Sequence, residues 1–206
     1  MNDVDAIMVL TPVIPVLVID DVASARPVAE ALVAGGLPAL EVTLRTPVAL
    51  KAIREMTQVE GAVVGAGTVL NERDLDASLE AGARFIVSPG LTEPLSKKAL
   101  TSGVPFLPGI ATASDIMRGL DLGLTRFKFF PAVASGGIPT LKALSSPFPQ
   151  CRFCPTGGIT QENAAEWLAL NCVPCVGGTW LAPRGKSDLA AIAAAAIKAA
   201  RLARLV

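Results

Sequence analysis

Residues 126–131 of this 206-residue chain read RFKFFP and place one lysine, Lys128, among three phenylalanines. Phenylalanine favours strands and Pro131 ends one, so the stretch predicts a short buried strand. Alternate residues of a strand face opposite sides, so Lys128 should face away from Phe127 and Phe129. Burial disfavours the charged ammonium group, and a lysine that becomes a neutral amine can attack a carbonyl carbon. The alternative is a structural lysine whose ammonium reaches water along an apolar stem.

Short apolar strands alternate with helical segments along the whole chain. The predicted strands are Val13–Ile19, Ala39–Leu44, Ala62–Ala66, Phe85–Ser88, Pro105–Leu107, Phe127–Phe130, Arg152–Cys154 and Pro174–Val176. The predicted helices are Asp3–Leu10, Val22–Val33, Pro47–Met56, Glu72–Glu80, Thr92–Leu100, Ala113–Leu120, Pro139–Leu144, Gln161–Leu170 and a closing helix after Ser187.

Eight strand–helix units in series, preceded by a short N-terminal helix and without a linker, predict a single α/β domain over residues 1–206. We expect a parallel sheet that closes into a (β/α)8 TIM barrel, with the helices outside. An open doubly wound sheet is the alternative. No G-x-G-x-x-G motif follows the first strand, where a dinucleotide-binding sheet would need it.

Composition excludes several classes of function. The chain has 18 basic and 18 acidic residues, without a basic run or a long uninterrupted apolar segment. We therefore expect no nucleic-acid or membrane partner. Asp3 and Asp5 are unlike the basic start of a secretory signal, and we expect a cytoplasmic protein. Histidine is absent, which excludes His-based acid–base catalysis, His-activated nucleophiles and metal sites that need imidazole.

Glu41, Thr43 and Arg45 alternate along the second predicted strand, so all three should face the same side. We expect that side to be the barrel interior, near the strand ends that carry catalytic groups in such barrels. One interpretation is a general base beside a clamp for a substrate carboxylate. The other is an interior ion pair between Glu41 and Arg45 with a structural role. The pattern alone leaves both open.

Paired glycines follow the seventh and eighth predicted strands, in Thr156-Gly157-Gly158 and Gly177-Gly178-Thr179. Glycine lets backbone N–H groups approach an anion closely, and these two loops are the usual phosphate site of such barrels. We therefore predict a phosphate site across the barrel mouth from Arg45. The alternative is that the glycines only permit tight turns. Thr68, after the third strand, either donates to the same substrate carboxylate as Arg45 or caps a turn.

The four cysteines, Cys151, Cys154, Cys172 and Cys175, form two CxxC pairs separated by seventeen residues. Zinc ribbons have this spacing, so a zinc-binding interaction module is an alternative of a different class. Against it, Cys151 and Cys154 flank a predicted strand, where residues three apart face opposite sides. We expect four free thiols that act as small buried apolar side chains in a reducing compartment.

Five motifs occur together: EVTLRT (Glu41–Thr46), VGAGTVL (Val64–Leu70), SPGLTEP (Ser88–Pro94), FKFFPA (Phe127–Ala132) and FCPTGGI (Phe153–Ile159). In this order they resemble the class I 2-keto-3-deoxy-6-phosphogluconate (KDPG) and 4-hydroxy-2-oxoglutarate (KHG) aldolases, from about Pro12 to Pro183. The resemblance implies a homotrimeric (β/α)8 enzyme without metal or cofactor. Its substrate would be a small phosphorylated keto acid, cleaved to pyruvate and glyceraldehyde 3-phosphate.

The resemblance also implies roles for individual residues. Lys128 would form the Schiff base, Glu41 would be the general acid and base, and Arg45 and Thr68 would hold the carboxylate of the pyruvate half. The phosphate site would comprise Gly157, Gly158, Gly178 and Thr179, and the other substrate-binding residues would be Pro89, Phe130 and Thr156. The chain departs from many members at Thr179, where they have serine, and at Val133, where they often have an acid. An aldolase for the galactonate epimer and a phosphate-binding barrel without chemistry are the remaining alternatives.

Overall fold

The computed structural model describes residues 4–185 and 188–202, so Asp3 and Ser187 of the predicted helix boundaries lie outside the described residues. The strands are β1 (Val13–Leu17), β2 (Ala39–Thr43), β3 (Val63–Gly67), β4 (Phe85–Val87), β5 (Phe106–Leu107), β6 (Gly109–Ile110), β7 (Arg126–Phe129), β8 (Arg152–Pro155) and β9 (Val176–Gly178). The helices are α1 (Val4–Leu10), α2 (Val22–Ala34), α3 (Ala49–Met56), α4 (Glu72–Glu80), α5 (Glu93–Ser102), α6 (Ala113–Asp121), α7 (Gly137–Ser145), α8 (Ala164–Leu168) and α9 (Leu189–Ala200).

The strands form a six-stranded sheet in the order β5-β4-β3-β2-β1-β9 and a three-stranded sheet in the order β6-β7-β8. Each pairing between these strands is parallel, which confirms the predicted parallel α/β fold. The predicted fifth strand, Pro105–Leu107, corresponds to β5, and β6 was not predicted from the sequence. Pro108, which has no N–H to donate, stands between the two. An isolated parallel bridge between Thr156 and Gly177 connects the end of β8 to β9.

Two predicted boundaries near the glycine loops were wrong. The eighth predicted strand, Pro174–Val176, is displaced, because β9 pairs through Val176–Gly178 with Val13–Pro15 of β1. The predicted helix Gln161–Leu170 is reduced to α8. The residue before α8, Asn163, accepts from the Thr160 N–H and donates to the Gly158 carbonyl, which holds the preceding segment in a turn.

Side chains from the strands fill two apolar layers. Phe127, Phe129 and Phe153 belong to the large cluster under the helices, and all three are fully buried. Cys154, the next residue after Phe153, belongs to a smaller cluster on the other face, together with Met8 of α1. The alternation of the two faces along β8 is the period expected of a strand. The same period explains the prediction that the Lys128 side chain faces away from those of Phe127 and Phe129.

Capping residues fix several helix ends. Asp21, Asn71 and Asp188 each accept a hydrogen bond from a backbone N–H in the first turn of α2, α4 and α9. Thr112 and Asp115 form a capping box at the start of α6. These caps place the helix starts where the sequence predicted them, within about two residues. Among the described helices, none is both long enough and apolar enough to cross a membrane.

Replacing Phe127 by alanine would remove a ring that lies 6.2 Å, centroid to centroid, from the ring of Phe153. The cavity left under α6 should lower the free energy of unfolding by about 3–5 kcal/mol. Urea denaturation followed by circular dichroism measures this change. The control is Ile197→Ala on α9, where the side chain is 43% exposed and we expect a change of about 0.5 kcal/mol or less. Equal effects of the two variants would contradict the assignment of Phe127 to the core.

Candidate active site

The centre of the site is a buried ion pair between strands that are distant in sequence. Lys128 Nζ, on β7, donates to Glu41 Oε1 at 2.9 Å and to Oε2 at 3.2 Å, on β2. The two side chains are only 7% and 5% exposed. At this separation a proton can pass directly from the ammonium to the carboxylate, which would leave a neutral amine. The alternative prediction of a lysine that reaches water is therefore wrong.

Arg45 does not lie where its spacing predicted. β2 ends at Thr43, and Leu44 and Arg45 form the following turn, so the alternation ends before Arg45. Thr43 is buried and its hydroxyl donates to the Leu17 carbonyl at 2.8 Å. Arg45 is exposed and takes part in none of the ion pairs between described residues. The predicted interior pair of Glu41 and Arg45 is therefore wrong, because Lys128 is the partner of Glu41.

Gly67, the last residue of β3, makes room for the Glu41 side chain. A Cβ built on Gly67 would lie 2.6 Å from Glu41 Cγ and 2.8 Å from Cδ, closer than real Cβ contacts. Residues 41 and 67 lie on paired strands, two positions beyond the register pair Glu41–Gly65. Any larger residue at position 67 would push the carboxylate away from Lys128. This role of Gly67 was not predicted from the sequence.

Two further predicted residues lie close to Lys128. The Phe130 ring centroid is 5.6 Å from Lys128 Nζ, within the range of a cation–π contact. Gly109 pairs in register with Lys128. A Cβ on Gly109 would overlap the Pro89 carbonyl and lie 2.8 Å from the Gly90 nitrogen. This close approach places the Pro89 loop directly beside the strand that pairs with the lysine strand.

Thr68 follows Gly67 and has an unusual backbone conformation. Its φ of 58° lies in the left-handed region, and no other non-glycine residue among the described ones has a positive φ. A β-branched residue is strained there by about 1–3 kcal/mol, and such strain concentrates at functional sites. Thr68 directly follows Gly67, the residue that leaves room for the Glu41 side chain.

The two glycine segments lie side by side, joined by the Thr156–Gly177 bridge. Gly177 and Gly178 belong to β9 itself, which corrects their prediction as loop residues. A Cβ on Gly177 would lie 2.9 Å from Thr156 Cγ2, so glycine at this position allows the buried Thr156 side chain to fit. Trp180 covers Gly178 in the same way, with Cη2 2.5 Å from the built Cβ. These glycines therefore permit close packing as well as turns.

Gly157 and Gly158 do form a turn, with φ of 98° and 80°. A Cβ on Gly157 would lie 3.4 Å from the Phe130 ring, so this turn packs against the residue beside Lys128. The N–H groups of Gly158 and Thr179 donate to no acceptor among residues 4–185 and 188–202. Unpaired backbone N–H groups in a glycine turn are the donors that phosphate sites use.

The contacts therefore bring most of the predicted site residues together. Direct contacts or strand register connect Glu41, Lys128, Phe130, Pro89, Thr156, Gly157 and Gly178, and Thr68 follows Gly67 in the chain. Gly158 and Thr179 are exposed at the ends of the joined glycine segments. Like Thr68, Gly158 and Thr179, Arg45 has no described contact with the ion pair. Gly109 was missed by sequence analysis, because its close neighbour Pro89 belongs to a loop twenty residues away.

The cysteines are free thiols. Cys151 belongs to the cluster under the helices and Cys154 to the cluster on the opposite face, as their separation along β8 predicted. Within the described residues, no group of three or more Cys, Asp or Glu side chains could hold a metal ion. The four thiols therefore do not come together as the ligands of a zinc ribbon would, and Cys151 and Cys154 lie in different clusters.

Comparison with known proteins agrees with this geometry. The sequence profile of the aldolase family described as KDPG and KHG aldolase matches residues 4–195. The 2-dehydro-3-deoxy-phosphogluconate aldolase of Zymomonas mobilis is 58% identical over 204 residues, which cover 99% of this chain and 98% of that protein. The chain belongs to the KDPG and KHG aldolase family. The resemblance inferred from the five motifs is thus confirmed.

Two crystal structures of KDPG aldolases superpose closely on the chain. The enzyme of Z. mobilis ZM4 with 3-phosphoglycerate has a TM-score of 0.98 at 58% identity and covers 100% of this chain and 98% of its own. The Legionella pneumophila enzyme, with pyruvate captured as a covalent carbinolamine intermediate, has a TM-score of 0.93 at 45% identity. That comparison covers 96% of this chain and 98% of the Legionella chain.

Gly67→Ala tests whether the clearance beside Glu41 matters to this aldolase. The new methyl group should displace the carboxylate, and a misplacement of about 1 Å can lower kcat about 100-fold. Pyruvate release coupled to lactate dehydrogenase measures kcat, and circular dichroism checks that the variant is folded. Gly90→Ala is the matched control, because a Cβ there meets nothing within 4 Å. A folded Gly67→Ala enzyme with the kcat of Gly90→Ala would show that the clearance has no catalytic importance.

Proposed function

We propose that this protein is a class I aldolase that cleaves 2-dehydro-3-deoxy-6-phosphogluconate to pyruvate and D-glyceraldehyde 3-phosphate. The observation that carries the proposal is the buried Lys128–Glu41 pair, with Nζ 2.9 Å from a carboxylate oxygen, in a member of the KDPG and KHG aldolase family. A lysine and a carboxylate are the groups that Schiff-base chemistry needs, and the chain has no histidine to replace either.

The first half of the reaction forms the Schiff base. Lys128 gives a proton to Glu41, and the neutral Nζ attacks the C2 carbonyl of the keto acid. A proton moves from the attacking nitrogen to the former carbonyl oxygen, which gives a carbinolamine. Glu41 returns its proton to the carbinolamine hydroxyl, so that water leaves, an iminium ion remains on Lys128 and Glu41 is ionised again. Phe130, with its ring centroid 5.6 Å from Nζ, stabilises the positive charge.

The second half breaks the carbon–carbon bond. Glu41 accepts the proton of the C4 hydroxyl, through water, while the electrons of the C3–C4 bond move into the iminium. D-Glyceraldehyde 3-phosphate leaves, and an enamine remains on Lys128. Protonation of C3 and hydrolysis then release pyruvate and restore the amine. Glu41 is close enough to Nζ to serve as base and then as acid in successive steps.

The two charged ends of the substrate are assigned to opposite sides of this pair. We propose that Arg45 and Thr68 hold the carboxylate, which would account for the strained φ of Thr68. Gly157, Gly158, Gly178 and Thr179 would bind the phosphate, and the unpaired N–H groups of Gly158 and Thr179 support this. The space between is lined by Pro89, Phe130 and Thr156.

The two departures from many family members fit the same arrangement. Thr179 keeps the hydroxyl group of the serine that it replaces. Val133 packs on Gly158, where a built Cβ would lie 2.7 Å from Val133 Cβ, and the Val133 N–H donates to the Gly157 carbonyl at 3.0 Å. The backbone of Val133 therefore holds the glycine turn in place whether or not its side chain is acidic.

The galactonate epimer and 4-hydroxy-2-oxoglutarate are the second candidate substrates. The gluconate substrate is favoured by the phosphogluconate aldolase of Z. mobilis at 58% identity. The unphosphorylated 4-hydroxy-2-oxoglutarate would not use the glycine turn, so its kcat/KM should be lower. Assays of pyruvate release from the three substrates under the same conditions decide among them.

We also propose that the two sheets complete one (β/α)8 barrel in a single domain. Only Pro108 separates β5 from β6, and the Thr156–Gly177 bridge joins β8 to β9, so each edge strand has a neighbour.

Family membership supports a homotrimer, and exposed Met117 and Val133, at 57% and 48%, are apolar side chains that subunit contacts could cover. Four free thiols are in keeping with a cytoplasmic location.

Glu41→Gln separates general acid–base catalysis from the structural role of the pair. The amide keeps the shape but cannot take the proton, so kcat should fall about 10²–10⁴-fold while KM changes little. Steady-state kinetics of pyruvate release measure both constants. Glu55→Gln, on the exposed surface of α3, is the charge-matched control and should behave as wild type. Similar kcat values for the two variants would refute the assignment of Glu41.

A further inference from the structure

A cavity of about 440 Å³ lies near the amino-terminal ends of β8 and β9. Its walls come from α7, from the segment before β8 and from the segment between α8 and β9. The last two segments lead into the amino-terminal ends of parallel strands. Lys128 and the glycine turn lie towards the carboxyl ends of β7 and β8, on the opposite side of the sheet layer. The cavity shares no residue with the aldolase site. Its volume is in the range of small-molecule sites.

The charged groups that line this cavity are both cations. They are Lys142 of α7 and Arg152, the first residue of β8. Neither forms an ion pair with any described acidic residue. The chain as a whole has zero net charge, so two neighbouring cations without a carboxylate are a local feature. Their combined field favours an anion, and most strongly one with two negative charges.

The Arg152 guanidinium is held in place for such a contact. Its Nη1 donates to the carbonyls of Pro149 and Cys151, at 3.0 and 2.9 Å. Its Nε and Nη2 groups have no acceptor within the described part of the chain. A guanidinium fixed on one side, with donors remaining on the other, is suited to bidentate contact with a phosphate or carboxylate.

The remainder of the cavity combines apolar and neutral polar groups. Phe148 and Leu170 are partly buried and belong to the layer under the helices, and Asn171 adds an exposed amide. A molecule with an anionic end and an aromatic or branched body would cover these side chains while its charge meets Lys142 and Arg152. The lining therefore provides both parts of a specific small-molecule site.

We propose that this cavity binds a small organic phosphate monoester, separately from the aldolase site. A phosphate monoester carries close to two negative charges near neutral pH, which match the two cations, whereas a carboxylate carries one. Arg152 contacts the phosphate oxygens, Lys142 adds the second charge, and the apolar body packs on Phe148 and Leu170.

Cys172 offers a reporter for this site. It lines the cavity and is partly exposed, whereas Cys151, Cys154 and Cys175 are buried. A bound ligand should shield the Cys172 thiol from alkylation by iodoacetamide, a neutral reagent. Ligand in the aldolase site would leave this thiol uncovered, so protection of Cys172 distinguishes the two sites.

The experiment measures the alkylation rate of Cys172 by peptide mass spectrometry in the full-length protein, with increasing phenyl phosphate. Protection follows mass action, so ligand at about ten times its Kd should slow alkylation about tenfold. Inorganic phosphate should protect less, because it lacks the apolar body. Benzoate should protect least, because it has one charge. The proposal is overturned if phenyl phosphate gives no protection up to about 10 mM, and the choice of phosphate is overturned if benzoate protects equally.

The Lys142→Gln variant tests whether Lys142 contributes to the binding of phenyl phosphate. Lys142 is exposed on α7, so the variant should fold, and loss of its charge should raise the Kd for phenyl phosphate about tenfold. Lys51→Gln, at another exposed lysine, on α3, is the matched control and should keep the wild-type Kd. Equal Kd values for the Lys142→Gln and Lys51→Gln variants would place the binding elsewhere and overturn the proposal.

Discussion

Two opposite charges buried together, Lys128 and Glu41, impose the main constraint on this structure. Removing either charge from water costs several kcal/mol, and only close mutual contact offsets that cost. The contact requires β2 and β7, which are not neighbours in either sheet, to present their side chains to one shared space. A curled parallel sheet provides that space, because residues on its concave side converge.

The glycines of the site follow from the same constraint. Gly67 leaves the volume that the Glu41 side chain occupies, and Gly109 lets the Pro89 loop approach the strand beside Lys128. Gly177 leaves room for Thr156, so that β8 and β9 meet. In each case a missing Cβ lets a neighbouring side chain or loop come close, which a turn-forming role alone would not explain. The site therefore depends on the absence of side chains at these glycines as well as on its charged groups.

Short-range patterns were sufficient for much of the prediction. The period of two placed Lys128 opposite Phe127 and Phe129, and the alternation of strands and helices gave the parallel α/β fold. The motifs gave the family. Glu41 and Lys128 were both named as site residues, and the structure adds a direct contact between them that was not predicted. That contact joins residues 87 positions apart, and no local pattern encodes such a pairing.

The errors have physical causes of the same kind. Arg45 was placed on the face of Glu41, but β2 ends at Thr43, whose hydroxyl bonds the Leu17 carbonyl. Gly177 and Gly178 were assigned to a loop because glycine occurs both in turns and where backbones approach closely. Only their pairing with β1 shows that they belong to a strand. β6, with only two residues after Pro108, is too short to show a strand pattern in the sequence and was not predicted.

The central claim is that Lys128 forms a covalent Schiff base, and borohydride reduction in the presence of pyruvate tests it most directly. Borohydride converts the iminium into a stable secondary amine, which peptide mass spectrometry can assign to one residue. The account predicts a pyruvate-derived adduct on Lys128 that is absent from the Lys128→Met variant. An adduct on a different lysine, or none at all in the folded wild-type protein, would contradict it.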